Sequence, residues 1–291
     1  MIRKLGFLAG LNFIDLSPEE VTHILAQEGY QGISWPLVWF DPWVKSDHDR
    51  KNLISAGEKA ALQVTEWVAQ IDYVALDKSI WSDRIKHTIE TIQAIGRLGS
   101  KAPINLFTGP APWDPSAPRL TKDISEGSAW DLVVRAFDEL ITVAEKENVV
   151  LAVEPVFGHL VHDYYTLMEL FRKFDSPNLR VNFDPSHGIL YQNDTGWVIK
   201  QLGDKIVHCH LKDAVGRPGG LPGETFQFPL LGEGEVPWNE FKISLDEIGY
   251  SGFLTVEFES FNYYQQVLKS DPRLTARRAM DDVKMLGLLD D

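Results

Sequence analysis

The chain has 291 residues, of which 44% are hydrophobic and 24% charged, and its formal net charge is −14 at pH 7. This balance is typical of a globular protein, and the negative charge opposes nucleic-acid binding, which depends on Lys and Arg that neutralise phosphates. No apolar run approaches the roughly 20 residues that span a bilayer, and no secretory signal pattern opens the chain. The single cysteine, Cys209, excludes an internal disulfide. We therefore expect a cytoplasmic protein without nucleic-acid or membrane partners.

Strand patterns and helix patterns alternate along the whole chain. Strands are predicted at residues 4–10, 31–35, 62–69, 103–107, 149–153, 179–183, 205–211 and 252–258. Helices are predicted at residues 17–29, 51–61, 82–98, 125–148, 164–174, 195–202, 238–248 and 273–289. Because parallel strands need crossover helices, this alternation predicts a parallel sheet.

The number of units and the length of the chain favour one architecture. Eight strand–helix units match a (β/α)8 TIM barrel, whose typical length is about 250 residues. A doubly wound open sheet is the competing fold, but it usually has a glycine-rich turn after its first strand, and residues 9–12 (A-G-L-N) lack that pattern. We predict a single α/β domain, a (β/α)8 barrel of residues 1–291.

Four consecutive strand tips carry side chains suited to chemistry. Strand five ends in Glu154, and the stretch L-R-V-N-F-D-P-S-H-G places Asp184 at the tip of strand six. Strand seven presents His210, and strand eight presents Glu257. Singly, each of these residues has an ordinary structural role as a turn, solvated or hydrogen-bonded side chain. Because catalytic residues of such barrels lie at the carboxyl ends of strands, the four together predict one site.

A metal ion is expected at this site. Three carboxylates at one barrel mouth would repel one another and raise one another's pKa unless a cation neutralised them. Oxygen and nitrogen donors without a thiolate suit Mn²⁺, Mg²⁺, Co²⁺ or Zn²⁺, and of these we expect a single Mn²⁺ first. His208 lies deeper in the same strand as His210 and is expected to support it or to fill the core. Glu259 lies beyond its strand tip, as a supporting or a solvated group.

Residues near the strand tips are candidates for binding a substrate. His187 follows Asp184 by one turn and is suited to bonding a substrate oxygen or to capping a helix. Arg217 lies in the Gly- and Pro-rich loop after strand seven, where it would bind hydroxyls or a phosphate or remain solvated. Lys212 and Asp213 are predicted to pair with each other and to orient that loop.

Aromatic side chains follow several strand tips and would form the walls of a small-molecule site. The predicted rim residues are Trp35, Trp39, Phe40, Trp43, Trp113 and Phe157. From these we select Trp35 and Trp113 as substrate-binding candidates, although ordinary loop packing explains any one of them equally well. Because few basic residues accompany the loop glycines, an unphosphorylated ligand is favoured over a phosphorylated one.

Four motifs together resemble the sugar phosphate isomerase/epimerase family: V-E-P at Glu154, F-D-P-S-H at residues 183–187, H-C-H-L-K-D at residues 208–213 and V-E-F-E at residues 256–259. Members of this family are xylose-isomerase-like barrels that include ketose 3-epimerases, hydroxypyruvate isomerases and inosose dehydratases. The resemblance covers nearly the whole chain and is strongest over residues 149–259. It implies metal ligands at Glu154, Asp184, His210 and Glu257, and substrate contacts at His187 and Arg217.

The expected chemistry is proton transfer next to a ketose carbonyl. A divalent cation that binds the ketone oxygen and the adjacent hydroxyl acts as a Lewis acid and stabilises the enediolate. Glu154 and Glu257 would supply a base on each face of the substrate, as an epimerase or an aldose–ketose isomerase needs. A dehydratase of a keto-polyol would use the same residues, and an endonuclease IV-like nuclease or a non-catalytic sugar-binding module are further alternatives. The expected partner is a small sugar, sugar phosphate or polyol, and the outer helix faces leave a homo-oligomer open.

Overall fold

The computed structural model describes residues 3–220 and 222–289, except for the side chain of Asn12. Within these ranges the barrel strands are β1 (Lys4–Leu8), β2 (Gly32–Pro36), β3 (Gln63–Ala69), β4 (Ile104–Leu106), β5 (Leu151–Val153), β6 (Leu179–Phe183), β7 (Ile206–Leu211) and β10 (Phe253–Val256). They close in the order β1-β10-β7-β6-β5-β4-β3-β2, and all pairings are parallel. The predicted (β/α)8 barrel is confirmed. The carboxyl ends of all eight strands therefore open at one mouth.

Helices connect the strands and cover the outside of the barrel. In the described part of the chain they are α1 (Pro18–Gln27), α2 (Asp47–Lys59), α3 (Lys78–Leu98), α4 (Glu126–Glu147), α5 (Tyr164–Phe171), α6 (Pro185–Leu190), α7 (Thr195–Leu202), α8 (Trp238–Glu247), α9 (Phe261–Gln266) and α10 (Pro272–Met285). Helix α1 begins where the sequence indicates, because Ser17 and Glu20 form a capping box ahead of Pro18 at the first helical position. No helix among the described residues has the length and the apolar character needed to cross a membrane.

Alternation along the strands separates the apolar core from the polar barrel interior. In β6, Val181 and Phe183 belong to the apolar core, whereas Asn182 donates a hydrogen bond to Glu154. The lower end of the barrel is filled closely. A Cβ at Gly32 would lie 2.3 Å from Cγ2 of Thr65, so only glycine fits at that position. The interior is therefore closed below and lined by polar groups towards the mouth.

Two short helices and one short hairpin lie where the sequence predicts loops. Helices α6 and α9 have six residues each, and the hairpin strands β8 (Val215–Gly216) and β9 (Phe226–Gln227) have two. Segments this short do not show a clear period of 3.6 or 2 residues. Helix α6 matters for the site, because it begins directly after Asp184, whose carboxylate accepts the N–H of Ser186 at 2.8 Å.

Candidate active site

The four predicted metal-ligand candidates meet at the barrel mouth. One ligand atom from each of Glu154, Asp184, His210 and Glu257 lies within 4.8 Å of all the others. These residues come from four strands that are neighbours around the barrel, β5, β6, β7 and β10, so their carboxyl ends converge. The structure thus brings together the whole set that the sequence indicated. Their role as metal ligands stays a prediction.

Glu154 and Asp184 each have one carboxylate oxygen held by the protein and the other turned towards the cluster. Oε2 of Glu154 accepts hydrogen bonds from the side-chain amides of Asn105 at 2.5 Å and Asn182 at 3.1 Å, while its Oε1 lies 3.4 Å from Nδ1 of His210. Oδ1 of Asp184 caps α6, whereas its buried Oδ2 faces the cluster, 3.1 Å from Nζ of Lys212. Such half-engaged carboxylates fit monodentate binding of a divalent cation.

The imidazole of His210 is oriented by Glu66, a residue of β3 on the far side of the barrel. Nε2 of His210 lies 2.8 Å from Oε2 of Glu66, and its Nδ1 lies 3.4 Å from both Glu154 Oε1 and Glu257 Oε2. A carboxylate on one ring nitrogen fixes the tautomer and leaves the other nitrogen available to a cation. Sequence reasoning missed Glu66. Its signal was a carboxylate in the interior of a strand that is otherwise largely apolar.

Lys212 lies among the carboxylates of the site. Its Nζ is 2.5 Å from Glu257 Oε2, 3.1 Å from Asp184 Oδ2 and 3.1 Å from Glu259 Oε2. The ammonium group thereby offsets part of the repulsion among the carboxylates. From the sequence, only a metal ion was expected to do this. The same nitrogen is 3.3 Å from Nε2 of His187, so Lys212 connects the carboxylates to this candidate substrate contact.

The predicted pairing of Lys212 with Asp213 is wrong. Successive residues at a strand end point to opposite sides, so the two side chains separate. Asp213 is buried and accepts hydrogen bonds from the N–H groups of Gly232, Gly234 and Val236 and from the indole N–H of Trp238, at 2.9 to 3.1 Å. It therefore orients the loop without Lys212.

Opposite charges at short range shift the pKa values of the cluster apart. Burial opposes the protonation of His210, but Glu66, Glu154 and Glu257 outweigh it and raise the pKa of His210 well above its usual value. Burial likewise opposes ionisation of Glu257, but Lys212 and His210 lower its pKa to about 2. In the absence of a bound cation, Lys212 and His210 therefore keep Glu257 ionised.

The deeper histidine behaves differently. His208 is buried below His210, and burial lowers its pKa to about 4, so it is neutral near pH 7. Its Nε2 lies 3.6 Å from Oε2 of Glu66. This placement fits the expected supporting or core role of His208.

A cavity of about 450 Å³ lies above the cluster. Glu154, Glu257, Glu259, His187 and Lys212 are the ionisable groups that line it. Its aromatic walls are Phe107, Trp113, Phe157, Phe228 and Phe261. The predicted substrate contacts His187 and Trp113 are thus at the cavity, which has the size of a small-molecule site.

Two other predicted substrate contacts lie elsewhere. Trp35 is fully buried and packs on Trp39, with ring centroids 5.0 Å apart, and it is not among the described residues that line the cavity. Arg217 follows β8 in the hairpin, is 54% exposed and pairs with Glu235 at 3.1 Å. The hairpin directs this guanidinium to solvent, a geometry that the loop composition could not reveal.

Comparison with known proteins places the chain in a family. It matches the model of the xylose isomerase-like TIM barrel family over residues 19–284, and it belongs to that family. The fructoselysine 3-epimerase of Escherichia coli O157:H7 is 26% identical over 160 residues, which are 54% of this chain and 54% of that protein. The chain thus spans about half the length of the curated relatives it matches.

Solved structures share the fold over almost the whole chain. A D-psicose 3-epimerase with D-tagatose from Clostridium cellulolyticum H10 has a TM-score of 0.76 and 16% identity, covering 98% of this chain and 99% of that one. An IolI protein with a binding zinc atom has a TM-score of 0.75 and 20% identity, covering 98% and 96%. The resemblance drawn from the sequence motifs is confirmed at the level of family and fold.

Proposed function

We propose that the chain is a divalent-metal-dependent sugar epimerase or isomerase, which moves a proton at a carbon next to a ketose carbonyl. The observation that carries this proposal is that Glu154 and Glu257 line one cavity and also belong to one cluster of candidate cation ligands with Asp184 and His210. Relatives named fructoselysine 3-epimerase and D-psicose 3-epimerase support the same class of reaction.

The donor set fits a divalent cation, with Mn²⁺ expected first and Mg²⁺, Co²⁺ and Zn²⁺ as alternatives. The zinc atom of the IolI structure keeps Zn²⁺ among them. When bound, the ion supplies Lewis-acid polarisation of the carbonyl and the adjacent hydroxyl. Glu154, Asp184, His210 and Glu257 would hold it.

The two glutamates would carry the proton. One glutamate, as the carboxylate, takes the proton from the α-carbon on one face, and the other, as the carboxylic acid, gives its proton to the opposite face, which inverts that centre. In an aldose–ketose isomerase, a single glutamate would perform both transfers. The two amide donors on Oε2 of Glu154 hold that side chain in place. His187, at the cavity wall, would bond a substrate oxygen.

The lining favours an unphosphorylated sugar or polyol. Three carboxylates line the cavity, and its lysine, Lys212, is already paired with Glu257 and Glu259, so no unpaired lysine or arginine among the described residues lines it to bind a phosphate. Arg217, the remaining candidate for an anion contact, lies in the hairpin and is paired with Glu235. Aromatic rings on several sides can pack on sugar C–H surfaces and exclude water.

Proton exchange in D₂O tests this proposal. The metal-loaded protein is incubated with ketoses, ketose phosphates and inososes, and deuterium incorporation next to the carbonyl is followed by NMR and mass spectrometry. We expect exchange with at least one unphosphorylated ketose, lost on chelation and reduced at least about 100-fold in Glu257→Gln. The product then distinguishes epimerase, isomerase and dehydratase.

A matched variant controls for the change of charge. Glu247 is an exposed residue that pairs with Lys200, so Glu247→Gln removes a carboxylate far from the mouth and should exchange like the parent. If no compound in the panel exchanges and elemental analysis finds no divalent metal, the proposal is wrong, and a sugar-binding role without catalysis replaces it.

A further inference from the structure

A second cavity adjoins the one above the cluster. Its volume is about 420 Å³, against about 450 Å³ for the first. Gln70 and Trp113 line both cavities, so the two are adjacent at these side chains. The second cavity, which we call the outer chamber, lies at the mouth above β2, β3 and β4 and the start of α3. Among the described residues, none of the four metal-ligand candidates lines it.

The outer chamber combines aromatic faces with planar polar groups. Trp43 and Trp113 line it and are 52% and 46% exposed, which leaves large ring surfaces open to a ligand. Its carboxylates are Asp72, Asp83 and Asp114, and its guanidinium is Arg84. Aromatic rings beside side chains that donate and accept hydrogen bonds in a plane suit a hydroxyl-rich, uncharged ring with C–H faces.

The walls of the outer chamber are held by contacts within the protein. Both carboxylate oxygens of Asp72 accept backbone N–H groups, from Val74 at 2.7 Å and Ala111 at 2.9 Å. Nε1 of Trp43 donates to Glu90 at 2.8 Å, and its ring packs edge-on against the ring of His87, with the ring centroids 4.5 Å apart. A preformed wall loses little conformational freedom when a ligand binds.

The charged groups that line the outer chamber favour an uncharged ligand over an anionic one. Three carboxylates against one guanidinium repel a phosphate or a carboxylate, and Arg84 is already engaged with the carbonyl of Asp72 at 3.0 Å. Asp83 is exposed on the first turns of α3 and can accept from hydroxyl groups. A neutral glycosyl unit therefore suits the chamber better than an anionic group.

We infer that the outer chamber binds the glycosyl unit of an extended substrate, in which a second sugar is attached to the ketose that reacts in the inner cavity. This inference rests on the proposed function for the inner cavity. The ketose carbonyl lies over the cluster, the bridge passes Gln70 and Trp113, and the second ring packs on Trp43. The chain's preferred substrate is then a keto-disaccharide or a ketose glycoside of similar size.

Steady-state exchange with matched substrates tests the inference. The panel holds D-fructose, glycosyl-fructoses linked through O1, O3, O4, O5 or O6, and an N-alkylated 1-amino-1-deoxyfructose. We expect kcat/KM for at least one glycosyl-fructose to exceed that for fructose by about tenfold or more, since one aromatic contact contributes about that factor to binding. In Trp43→Ala, that ratio should fall by about tenfold. Asp83→Ala, at an exposed position, should lower it in the same direction.

Trp197→Ala is the matched control, because Trp197 is a half-exposed tryptophan on α7 that packs on Tyr164 and lines neither cavity. It should leave the ratio unchanged. Equal kcat/KM values for fructose and every glycosyl-fructose would overturn the outer chamber while leaving the proposed function intact. A preference for the amino-substituted ketose that Trp43→Ala abolishes would overturn the glycosyl assignment. Absence of exchange with every compound would instead count against the proposed function.

Discussion

The two halves of the barrel mouth are built from the same kind of strand but carry different side chains. Strands β5, β6, β7 and β10 are contiguous and end in Glu154, Asp184, His210 and Glu257. Strands β1 to β4 end in uncharged residues, and the loops after them carry the outer chamber with its aromatic rings. Because the ligands of one cation must meet within a few ångströms, the proposed metal site needs neighbouring strands. In the proposed function, the opposite half would shape the substrate.

One residue crosses this division. Glu66 belongs to β3 but reaches the imidazole of His210 across the interior of the barrel. It lies in the middle of its strand, below the mouth, with its side chain in the barrel interior. The division between the halves therefore holds at the mouth and disappears in the layer beneath it.

The largest expected effect is on kcat, and it should distinguish a residue of the cluster from a residue of the opposite half. Glu154→Gln keeps the shape of the side chain but removes a base and a cation ligand, so kcat for exchange should fall by about 10² to 10⁴. Trp113→Ala removes cavity wall and should act mainly on KM. Steady-state exchange kinetics on both variants provide the measurement. Were Trp113→Ala to lower kcat as much as Glu154→Gln, the halves would not divide chemistry from binding.

A smaller effect should follow from the residue that crosses between the halves. Glu66→Gln removes the charge that orients His210, and loss of such a supporting carboxylate weakens metal binding by about 10- to 100-fold. Calorimetric titration of the metal-free protein with Mn²⁺ measures this. Glu58→Gln, at an exposed position on α2, is the control and should bind like the parent. Equal affinities in both variants would show that Glu66 is a core residue without influence on the cluster.

The sequence predicted the fold well because the barrel rests on repeated local patterns. Strand β6 was predicted with its observed bounds, and β7 was placed to within one residue, since alternation and flanking breakers mark both. Glu154, Asp184, His210 and Glu257 were found for a related reason. Residues at the carboxyl ends of parallel strands meet whatever the loops do.

What the sequence could not reveal depends on contacts across the chain. Glu66 acts through a residue 144 positions away, and a strand pattern carries no sign of such a pairing. Trp35 and Arg217 were chosen from loop or rim position, but side-chain direction at those positions depends on packing. Lys212 lies within two residues of a predicted ligand, and its place among the carboxylates is set by the twist of the strand end.

The loop after β7 belongs to the half of the mouth that carries the cluster, and Asp213 holds this loop in place. Asp213→Ala removes an acceptor from several buried or partly buried N–H groups, and each donor left unpaired costs about 1 to 3 kcal/mol. We expect the free energy of unfolding to fall by about 2 kcal/mol or more, measured by urea denaturation monitored by circular dichroism. Asp204→Ala, at an exposed position before β7, should change it by less than about 0.5 kcal/mol. Similar losses in both variants would contradict the anchoring role.

The smallest expected effect concerns the side of β7 that faces away from the cluster. Burial raises the pKa of Cys209 to about 12, so almost no thiolate is present near pH 8. Because the thiolate is the reactive form, the native protein should not react with a disulfide reagent such as DTNB, while the protein unfolded in urea should release one equivalent. The same alternation that turns His208 and His210 towards the barrel axis turns Cys209 into the apolar core. Fast reaction of the native thiol would place Cys209 at an accessible surface, and the alternation that directs His210 to the cluster would then be wrong for β7.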